Sequence, residues 1–423
     1  GPEGIPGAGR DWVTHPIWAA APPWYPPRAA AMIFNSFAYF AFFLVPAAIG
    51  FRVARPAVQP WVCVCFGAAF FVFFSITQIG GVAGAFCLLI FAWESAFSRL
   101  YRPGSALCFV GIAQAIGFLV VFKYWNFLTG LAFGAPARNP WHWAGAFLPL
   151  GISFFTFEFI HYAVDRYRGT APRGKFAHYL AFILFFPTMV AGPIKRYQDF
   201  EGKLAHPNKA WTDDWALGIT RILVGLAKKF AVADLLTAFT NHLNMTDISQ
   251  AQRWVLPLWL MAYGFKIYFD FSAYSDIAIG SARLFGINVP ENFDWPYLRT
   301  NIAEFWAHWH MSLTRWLTDY VFIPLGGSRR APPRVYLNVL VTMAISGLWH
   351  GAGLNFIVWG LWHGLLLAGH RMWKGLRGAS ASPSRLGLAA GWALTFVMVN
   401  TGWAFFCMDL PTSAYFFRRL AGH

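Results

Sequence analysis

The segment Trp61–Ile79, WVCVCFGAAFFVFFSITQI, contains no charged residue. An α-helix needs about 20 consecutive, mostly apolar residues to cross the hydrocarbon core of a bilayer. Comparable apolar runs lie at Ile33–Val53, Val82–Phe97, Ser105–Leu128, Val335–Trp349, Asn355–Trp373 and Leu386–Met408. We therefore predict an all-α polytopic membrane protein with about ten or eleven transmembrane helices, and with re-entrant or amphipathic helices between positions 196 and 329.

The amino-acid composition also indicates a location in lipid. Of the 423 residues, 57% are hydrophobic and only 12% are charged, which is too apolar a balance for a soluble domain of this length. The apolar residues form continuous blocks, whereas a membrane β-barrel would need stretches of ~10 residues that alternate between apolar and polar. The lipid bilayer is therefore the expected surrounding of the chain.

The net charge of +15 does not indicate a nucleic-acid partner, because the basic residues are scattered through short loops between apolar runs. The positive-inside rule places the following basic positions on the cytoplasmic side: Arg52 and Arg55, Arg99 and Arg102, and the loops 166–175, 329–334 and 371–385. We expect a multi-pass membrane protein whose Met32 end lies outside the cytoplasm.

The cysteines and the short motifs exclude several classes of site. All five cysteines lie inside apolar runs, where a thiol behaves as a small hydrophobe, so we predict no disulfide and no metal site. The sequence also lacks an HExxH motif, a Walker loop, a GxGxxG motif and a GxSxG motif. His242 and Asp247 have an HxxxxD spacing that arises often by chance, and we expect no site there.

The first 31 residues differ from the rest of the chain. They are rich in proline, glycine and alanine, and they contain no apolar run, so they do not form a signal peptide. Met32 directly precedes the first predicted membrane segment. We expect residues 1–31 to be a flexible or non-native extension and residues 32–423 to form a single membrane domain.

Ionisable residues lie inside the apolar segment Leu148–Tyr167, which contains Glu158, His161 and Asp165. Ionisable groups are costly in a membrane and usually face the interior of a helix bundle or a water-filled cavity. Gly192-Pro193 follows the next apolar run and predicts a helix break near the bilayer.

The segment Tyr297–Tyr320 has a helical period of apolar residues and predicts one amphipathic helix. Its apolar side includes Trp306 and Trp309. His308 shares the polar face, so we expect it to be solvated or ion-paired. His310 lies about 200° further around the same helix and should point into packed aromatic residues, either as part of the structure or as part of a site.

His350 ends an apolar run in the string SGLWHG (346–351). Ser346 and Gly347 precede it by one turn, and their small side chains would leave room for a substrate beside the imidazole. Small residues are also ordinary packing contacts between membrane helices, so both interpretations stay open at this stage.

The string GLWHG occurs twice, at 347–351 and at 360–364. In the second copy, His363 lies in the middle of an apolar run, with Trp359 and Leu366 within one turn. We predict that His363 is a hydrogen-bonded core residue.

Several longer strings point to a known family. They are MIFNSFAYFAFFL (32–44), LPLGISFFTFEFIHYAVDRYRG (148–169), FFPTMVAGPIKR (185–196), IYFDFSAYSDIAIGSARLFGINVPENF (267–293), FWAHWHMSLTRWLTDYVFIPLGG (305–327) and the region 346–364 that holds both GLWHG copies. With these strings the chain resembles the membrane-bound O-acyltransferase (MBOAT) family, and within it the bacterial alginate O-acetyltransferase branch. The resemblance is strongest over residues 148–373.

The resemblance implies a ring of helices around a central funnel. In that family the histidine of the GLWHG string after the basic loop is held to be catalytic, which is His350 here, and the histidine of the WHMSL string is a second functional residue, which is His310. The residues that we expect to contact substrate are Trp306, Trp309, Ser346, Trp349, Asp276 and Asp319. For the two aspartates, ion pairs that hold helices together are an alternative of equal weight.

The implied reaction is the transfer of an acyl group, most simply acetyl, to a hydroxyl of an exported, alginate-like polysaccharide. A neutral imidazole, whose pKa in water is ~6.5, is suited to accept the hydroxyl proton at neutral pH. Acetyl-CoA or an acyl-carrier thioester is the expected donor, and we expect no permanently bound cofactor. The resemblance also implies a periplasmic acyltransferase or esterase-like protein as a partner.

Three alternatives remain at the level of sequence. The same fold could transfer D-alanine, or acylate peptidoglycan, cellulose or a lipid. A transporter could line a proton path with histidines, but it would show two matching halves, and the GLWHG copies are only thirteen residues apart. The chain could also be a catalytically idle scaffold that hands acyl groups to a partner.

Overall fold

The computed structural model describes residues 33–144, 146–205, 211–377 and 384–423, and all regular secondary structure in these ranges is helical. The prediction of an all-α chain is therefore confirmed. The extension expected at residues 1–31 and the expected start at Met32 lie outside the described residues.

Eighteen α-helices follow one another along the described ranges. They are α1 (Val45–Val53), α2 (Gln59–Phe97), α3 (Leu107–Leu119), α4 (Trp125–Phe133), α5 (Ile152–Tyr167), α6 (Phe176–Ile183), α7 (Phe186–Met189), α8 (Tyr197–Ala205), α9 (Trp211–Lys228), α10 (Asp234–Thr240), α11 (Met245–Gln250), α12 (Leu256–Leu284), α13 (Ile302–His308), α14 (Met311–Leu317), α15 (Pro332–His350), α16 (Leu354–Arg377), α17 (Arg385–Cys407) and α18 (Leu410–Ala421). The wider π-helical segments are Tyr39–Leu44, Val120–Tyr124, Lys229–Ala233 and Thr318–Phe322. Short 3₁₀ turns lie at Ser98–Leu100, Pro136–Arg138 and Pro296–Leu298.

Helix α2 is a helical hairpin rather than one straight span. Its 39 residues would extend about 58 Å at 1.5 Å per residue, which is nearly twice the ~30 Å thickness of the hydrocarbon core. Gly80 breaks the helix, because its φ of 79° and ψ of 159° lie outside the helical region. The ring centroids of Phe71 and Phe91 are 5.3 Å apart, so the two arms lie antiparallel.

Four helical segments are long and apolar enough to cross a membrane within the described part of the chain: Gln59–Ile76, Gly80–Leu100, Leu107–Phe133 and Arg385–Cys407. Other long helices carry polar side chains that lower their hydropathy. Helix α12 has 29 residues but contains Lys266, Asp270 and Asp276. The expected number of ten or eleven transmembrane helices therefore stays a prediction.

Glycines allow α9 and α12 to approach closely. A Cβ atom on Gly218 would lie 2.8 Å from the carbonyl oxygen of Gly280, and one on Gly225 would lie 2.6 Å from the carbonyl oxygen of Ala273. Both distances are too short for any larger residue. The backbones of the two helices thus touch, as is common where helices associate in membranes.

The contact between α15 and α16 has the same character. A Cβ atom on Gly347 would overlap the carbonyl oxygen of Phe356, and one on Gly360 would overlap that of Met343. Gly347 therefore lets the two helices pack. Of the two interpretations left open for this glycine, helix packing is the one that the geometry supports.

The prediction of a single helix over Tyr297–Tyr320 is wrong. The chain forms α13 and α14 with a break at His310, whose φ of 42° lies in the left-handed region. Hydrogen bonds to Asn292 compensate for the break: the Met311 N–H donates to its carbonyl oxygen (2.9 Å), and the Ser312 hydroxyl donates to its side-chain oxygen (2.6 Å). This partner lies in a distant loop, so helical periodicity could not reveal the break.

The ionisable residues of α5 face the interior, as predicted for groups inside an apolar segment. Glu158 forms an ion pair with Lys195, and the His161 Nε2 accepts a hydrogen bond from the Tyr197 N–H (3.2 Å). The Asp165 carboxylate accepts hydrogen bonds from side chains on two other elements. These contacts connect α5 to the loop and helix that follow the predicted Gly192-Pro193 break.

Candidate active site

His350 is the last residue of α15, and the chain continues in an extended conformation at Gly351. Its imidazole is half-buried and is surrounded by aromatic rings. The ring centroids of Trp349, Phe406 and Trp359 lie 4.7, 4.9 and 5.0 Å from it. Within the described residues, no protein group forms a hydrogen bond with either ring nitrogen. The helix end thus presents an imidazole that can still accept or donate a proton.

His310 also lies near Trp349. Its side chain is buried, with 1% of its surface exposed, and its ring centroid lies 4.6 Å from that of Phe271 and 6.0 Å from that of Trp349. The left-handed backbone at this residue turns the side chain away from the direction that a continuous helix would impose. The break between α13 and α14 is therefore what brings His310 to Trp349.

Several buried polar atoms around these residues have no hydrogen-bond partner in the described part of the chain. They are both ring nitrogens of His310, the Oγ of Ser346 and the Nε1 of Trp349. Leaving such a group unpaired costs about 1–3 kcal/mol, so a cluster of them is unusual in a folded protein. We refer to His310, Ser346, Trp349 and His350 as the histidine site. Its unpaired atoms fit a small polar substrate.

The aromatic residues predicted to contact substrate lie further from His350. Trp306 is in ring contact with Trp359 and His363, at 5.8 and 5.2 Å. Trp309 packs between Phe305 and Phe293. Neither tryptophan forms a ring contact with His310 or His350 in the described structure.

His363 is fully buried, which agrees with the prediction of a core residue. The predicted hydrogen bond is absent, however, because neither of its ring nitrogens has a partner among the described residues. The ring lies 5.0 Å from Trp359 and 5.2 Å from Trp306. The Nε2 atom lies against Gly402, because a Cβ atom built on that glycine would be 2.8 Å from it.

The two predicted aspartates form ion pairs. Asp276 on α12 accepts from Arg221 Nε (2.5 Å) and from Lys228 Nζ (2.6 Å), both on α9. Asp319 pairs with Arg196. These contacts fit the alternative interpretation, in which both carboxylates hold helices together.

The spacing of His242 and Asp247 proves to be a structural contact. The His242 Nδ1 and the Asp247 carboxylate are 2.9 Å apart, and the Asn244 side chain contacts the same carboxylate and caps α11. The hydrogen bond from Asn244, followed by that from His242, lowers the pKa of Asp247. The pair thus stabilises the start of a short helix.

Sequence reasoning overlooked Lys123, which lies inside the predicted membrane segment Ser105–Leu128. The Nζ of Lys123 donates to the Ser153 Oγ (2.9 Å) and to the carbonyl oxygen of Trp349. The neighbouring Tyr124 hydroxyl donates to the carbonyl oxygen of Leu348 (2.8 Å). A single lysine in an otherwise apolar run is a signal that could have identified it.

A cavity of about 350 Å³ lies between the loop that follows Ile194 and helix α14. Its charged lining residues are Lys195, Arg196, Lys203, Arg315 and Asp199. Lys195 and Arg196 are ion-paired with carboxylates on other elements. Ser312, two residues after His310, also lines it, as does Trp316. We refer to this space as the basic cavity.

A wall of stacked rings separates the basic cavity from the histidine site. The ring centroids of Trp316 and Phe157 are 4.1 Å apart. Phe157 in turn stacks on Trp349, with ring centroids 5.2 Å apart and an interplanar angle of 20°. A substrate held in the cavity would therefore have to reach past these rings to contact His350.

Comparison with known proteins identifies the family. The model of the membrane-bound O-acyltransferase family matches residues 166–409, a range that includes both GLWHG strings. The chain belongs to this family. The resemblance described from the sequence is thereby confirmed, as is the assignment to an all-α membrane fold.

Three relatives of the chain illustrate the different acyl groups and acceptors for which such proteins are named. The chain is 38% identical to the probable alginate O-acetylase AlgI of Pseudomonas aeruginosa over 313 residues, which cover 72% of this chain and 58% of that protein. It is 33% identical to the peptidoglycan O-acetyltransferase of Helicobacter pylori, covering 74% of this chain and 62% of the relative. It is 30% identical to the teichoic acid D-alanyltransferase of Bacillus subtilis, covering 66% and 71%. The chain thus spans about three fifths of the length of the two O-acetylating relatives.

Proposed function

We propose that the chain is an O-acyltransferase that moves an acyl group, most simply acetyl, from a thioester to a hydroxyl of an exported polysaccharide. The observation that carries this proposal is the histidine site. There the half-buried residue His350 ends a helix, near buried polar atoms that lack partners among the described residues. The relatives include proteins named for O-acetylation of alginate and of peptidoglycan. These names support acetyl as the transferred group and a polysaccharide as the acceptor.

In the proposed reaction, His350 is the general base. Its neutral imidazole takes the proton of the acceptor hydroxyl while the oxygen attacks the thioester carbonyl. The carbon–sulfur bond then breaks, and the departing thiolate takes the proton from the imidazolium. The products are an ester and a free thiol, and the imidazole is returned to its neutral form.

His310 orients one of the two substrates. Its ring nitrogens are buried and have no protein partner, so a substrate oxygen can be held there without displacing an existing hydrogen bond. Ser346 Oγ and Trp349 Nε1 offer further partners within the same cluster. Holding both reactants in one place is a large part of what such a site contributes to the rate.

The basic cavity is the proposed binding site of a phosphorylated donor. This donor is either acetyl-CoA or the phosphopantetheine arm of a carrier protein. The cavity volume of about 350 Å³ is typical of small-molecule sites. Lys203 and Arg315 are exposed, and neither forms an ion pair among the described residues. Their charges are available to phosphate groups. The donor's thioester end would extend past Trp316 toward His350.

The proposed acceptor is a polymer outside the cytoplasmic membrane, in line with a multi-pass location in the bacterial inner membrane. An alginate-like polysaccharide fits the AlgI relatives, and a periplasmic esterase-like protein is the partner expected to receive or pass on the acyl group. D-alanyl transfer is the alternative that the B. subtilis relative suggests.

The test is transfer of labelled acetyl from acetyl-CoA to a polysaccharide acceptor by the purified protein in detergent or nanodiscs. We expect activity in the parent and in His363→Ala, and loss of activity in His350→Ala. Activity that survives His350→Ala but disappears in His363→Ala would mean that the second GLWHG copy holds the catalytic residue. Transfer that is equal in both variants and the parent would overturn the proposed role of His350.

A further inference from the structure

Helix α15 ends at His350, so the last carbonyl groups of the helix lie directly beside the proposed reaction centre. The final four carbonyls of an α-helix have no partner within the helix and need one elsewhere. Two of these four receive hydrogen bonds from outside. The Leu348 carbonyl accepts from the Tyr124 hydroxyl at 2.8 Å, and the Trp349 carbonyl accepts from Lys123 Nζ.

Both donors belong to one short segment, the π-helical segment Val120–Tyr124 between α3 and α4. Segments of this kind are rare and recur at functional sites. Here Lys123 and Tyr124, which are adjacent in the chain, bond to adjacent carbonyls of α15. The π-helical segment thus clamps the end of the helix that carries His350.

Lys123 is held in place from a second direction. Its Nζ also donates to the Ser153 Oγ, at 2.9 Å, near the start of α5. The amino group therefore connects the π-helical segment, α5 and the end of α15.

No Asp or Glu lies within ion-pair distance of Lys123 in the described part of the chain. Its other neighbours are the rings of Tyr124 and Trp349, whose centroids are 5.5 and 5.8 Å from Nζ. A lysine in an apolar segment is costly and is usually retained for function. The part of the structure to which Lys123 binds is the end of α15, at Trp349.

We propose that Lys123 is a positioning residue for His350, and that it acts with Tyr124 by fixing the last turn of α15. The proposal rests on the proposed role of His350 in acyl transfer. Without the clamp, the last turn is free to fray, and the imidazole loses its alignment with the substrates. A displacement of about 1 Å at a reacting group can lower a rate by about 100-fold.

The test compares the steady-state kinetics of Lys123→Met, Lys123→Arg and Tyr124→Phe with those of the parent. Methionine keeps the length of the side chain but cannot donate, whereas arginine can still donate to a carbonyl. We expect Lys123→Met to lower kcat by about 10- to 100-fold with KM for the donor changed by less than about threefold. Lys123→Arg should recover kcat to within about threefold of the parent.

Tyr124→Phe removes a single hydroxyl and should fold even if Lys123→Met does not. We expect it to lower kcat by about three- to tenfold. Lys266→Met is the matched control, because Lys266 is also a buried lysine and donates to Thr240 Oγ1 (2.8 Å) on α10. This control should leave kcat unchanged.

Two results would overturn the proposal. One is a parental kcat in both Lys123→Met and Tyr124→Phe while His350→Ala is inactive, since the base would then work without the clamp. The other is an equal loss of kcat in Lys123→Met and Lys266→Met with no recovery in Lys123→Arg, which would indicate a general packing effect. Failure of the proposed function itself would appear separately, as activity that persists in His350→Ala.

Discussion

The rings of His350 and His363 lie at the same distance from one residue, 5.0 Å from the ring of Trp359. The two copies of GLWHG thus place their histidines against a shared tryptophan. The two positions differ in exposure, because His350 is half-buried while His363 is fully buried. The first copy therefore holds the more exposed of the two histidines.

Replacement of buried, unpaired histidines should separate function from stability. His310→Leu and His363→Leu each remove a buried polar group without a partner, so neither should lower the thermal unfolding temperature, and either could raise it. Activity should fall at least about 100-fold only in His310→Leu. Unfolding temperatures in detergent and acetyl transfer by the same samples measure both effects. Equal activity in the two variants would argue against a role for His310.

Gly347 should not tolerate a side chain. Gly347→Ala would force α15 away from the Phe356 backbone and should destabilise the protein by about 1–3 kcal/mol. Gly369→Ala on α16 is the control, because a Cβ atom there meets nothing within 4 Å. The control should be neutral or stabilising by up to about 1 kcal/mol. The free energies come from denaturant or thermal unfolding, and similar values for both variants would contradict the close contact.

Asp276 should matter for stability more than for turnover. Asp276→Asn leaves Arg221 and Lys228 without their shared carboxylate, so we expect the free energy of unfolding to fall. Removing one partner of a fully buried ion pair costs ~3–5 kcal/mol, which sets the upper limit of the effect. Because Arg221 is partly exposed, solvent screening should reduce the effect. The exposed pair of Asp294 and Arg299 provides the control Asp294→Asn, with an effect of about 0–1 kcal/mol. A strong loss of kcat with unchanged stability would instead support substrate binding by Asp276.

Charges at the basic cavity should control donor affinity. Lys203→Gln and Arg315→Gln should raise KM for acetyl-CoA by about threefold to tenfold each while kcat stays near the parental value. The difference should shrink as salt rises, since both residues are exposed and ions screen their charges. Lys175→Gln serves as a control because Lys175 is exposed but does not line the cavity. An unchanged KM in both cavity variants would show that the donor does not bind in the basic cavity.

Much of this architecture follows from local features of the sequence. Continuous apolar runs predict helices, because a chain in lipid has no other way to pair its backbone groups. The strings GLWHG and WHMSL indicate His350 and His310 only through the family resemblance, because the local pattern alone leaves both open. Their neighbours in space also include residues adjacent to them in sequence, such as Trp349.

Features set by distant residues could not be predicted. The break at His310 depends on hydrogen bonds to Asn292, which lies on another segment. The lack of a hydrogen-bond partner for His363 among the described residues depends on the helices packed around it, which local sequence does not specify. An average hydropathy over the apolar run 105–128 conceals its single lysine, Lys123. The run therefore predicts a membrane helix but gives no sign of a contact with α15.

The fold-back of α2 at Gly80 has a consequence for membrane sidedness. Since the two arms run in opposite directions and each is long enough to cross the bilayer, the chain enters and leaves this hairpin at one face. Arg55 before the first arm and Arg102 after the second then share an aqueous compartment. Arginines at the two ends of the hairpin act together to orient the amino-terminal part of the protein.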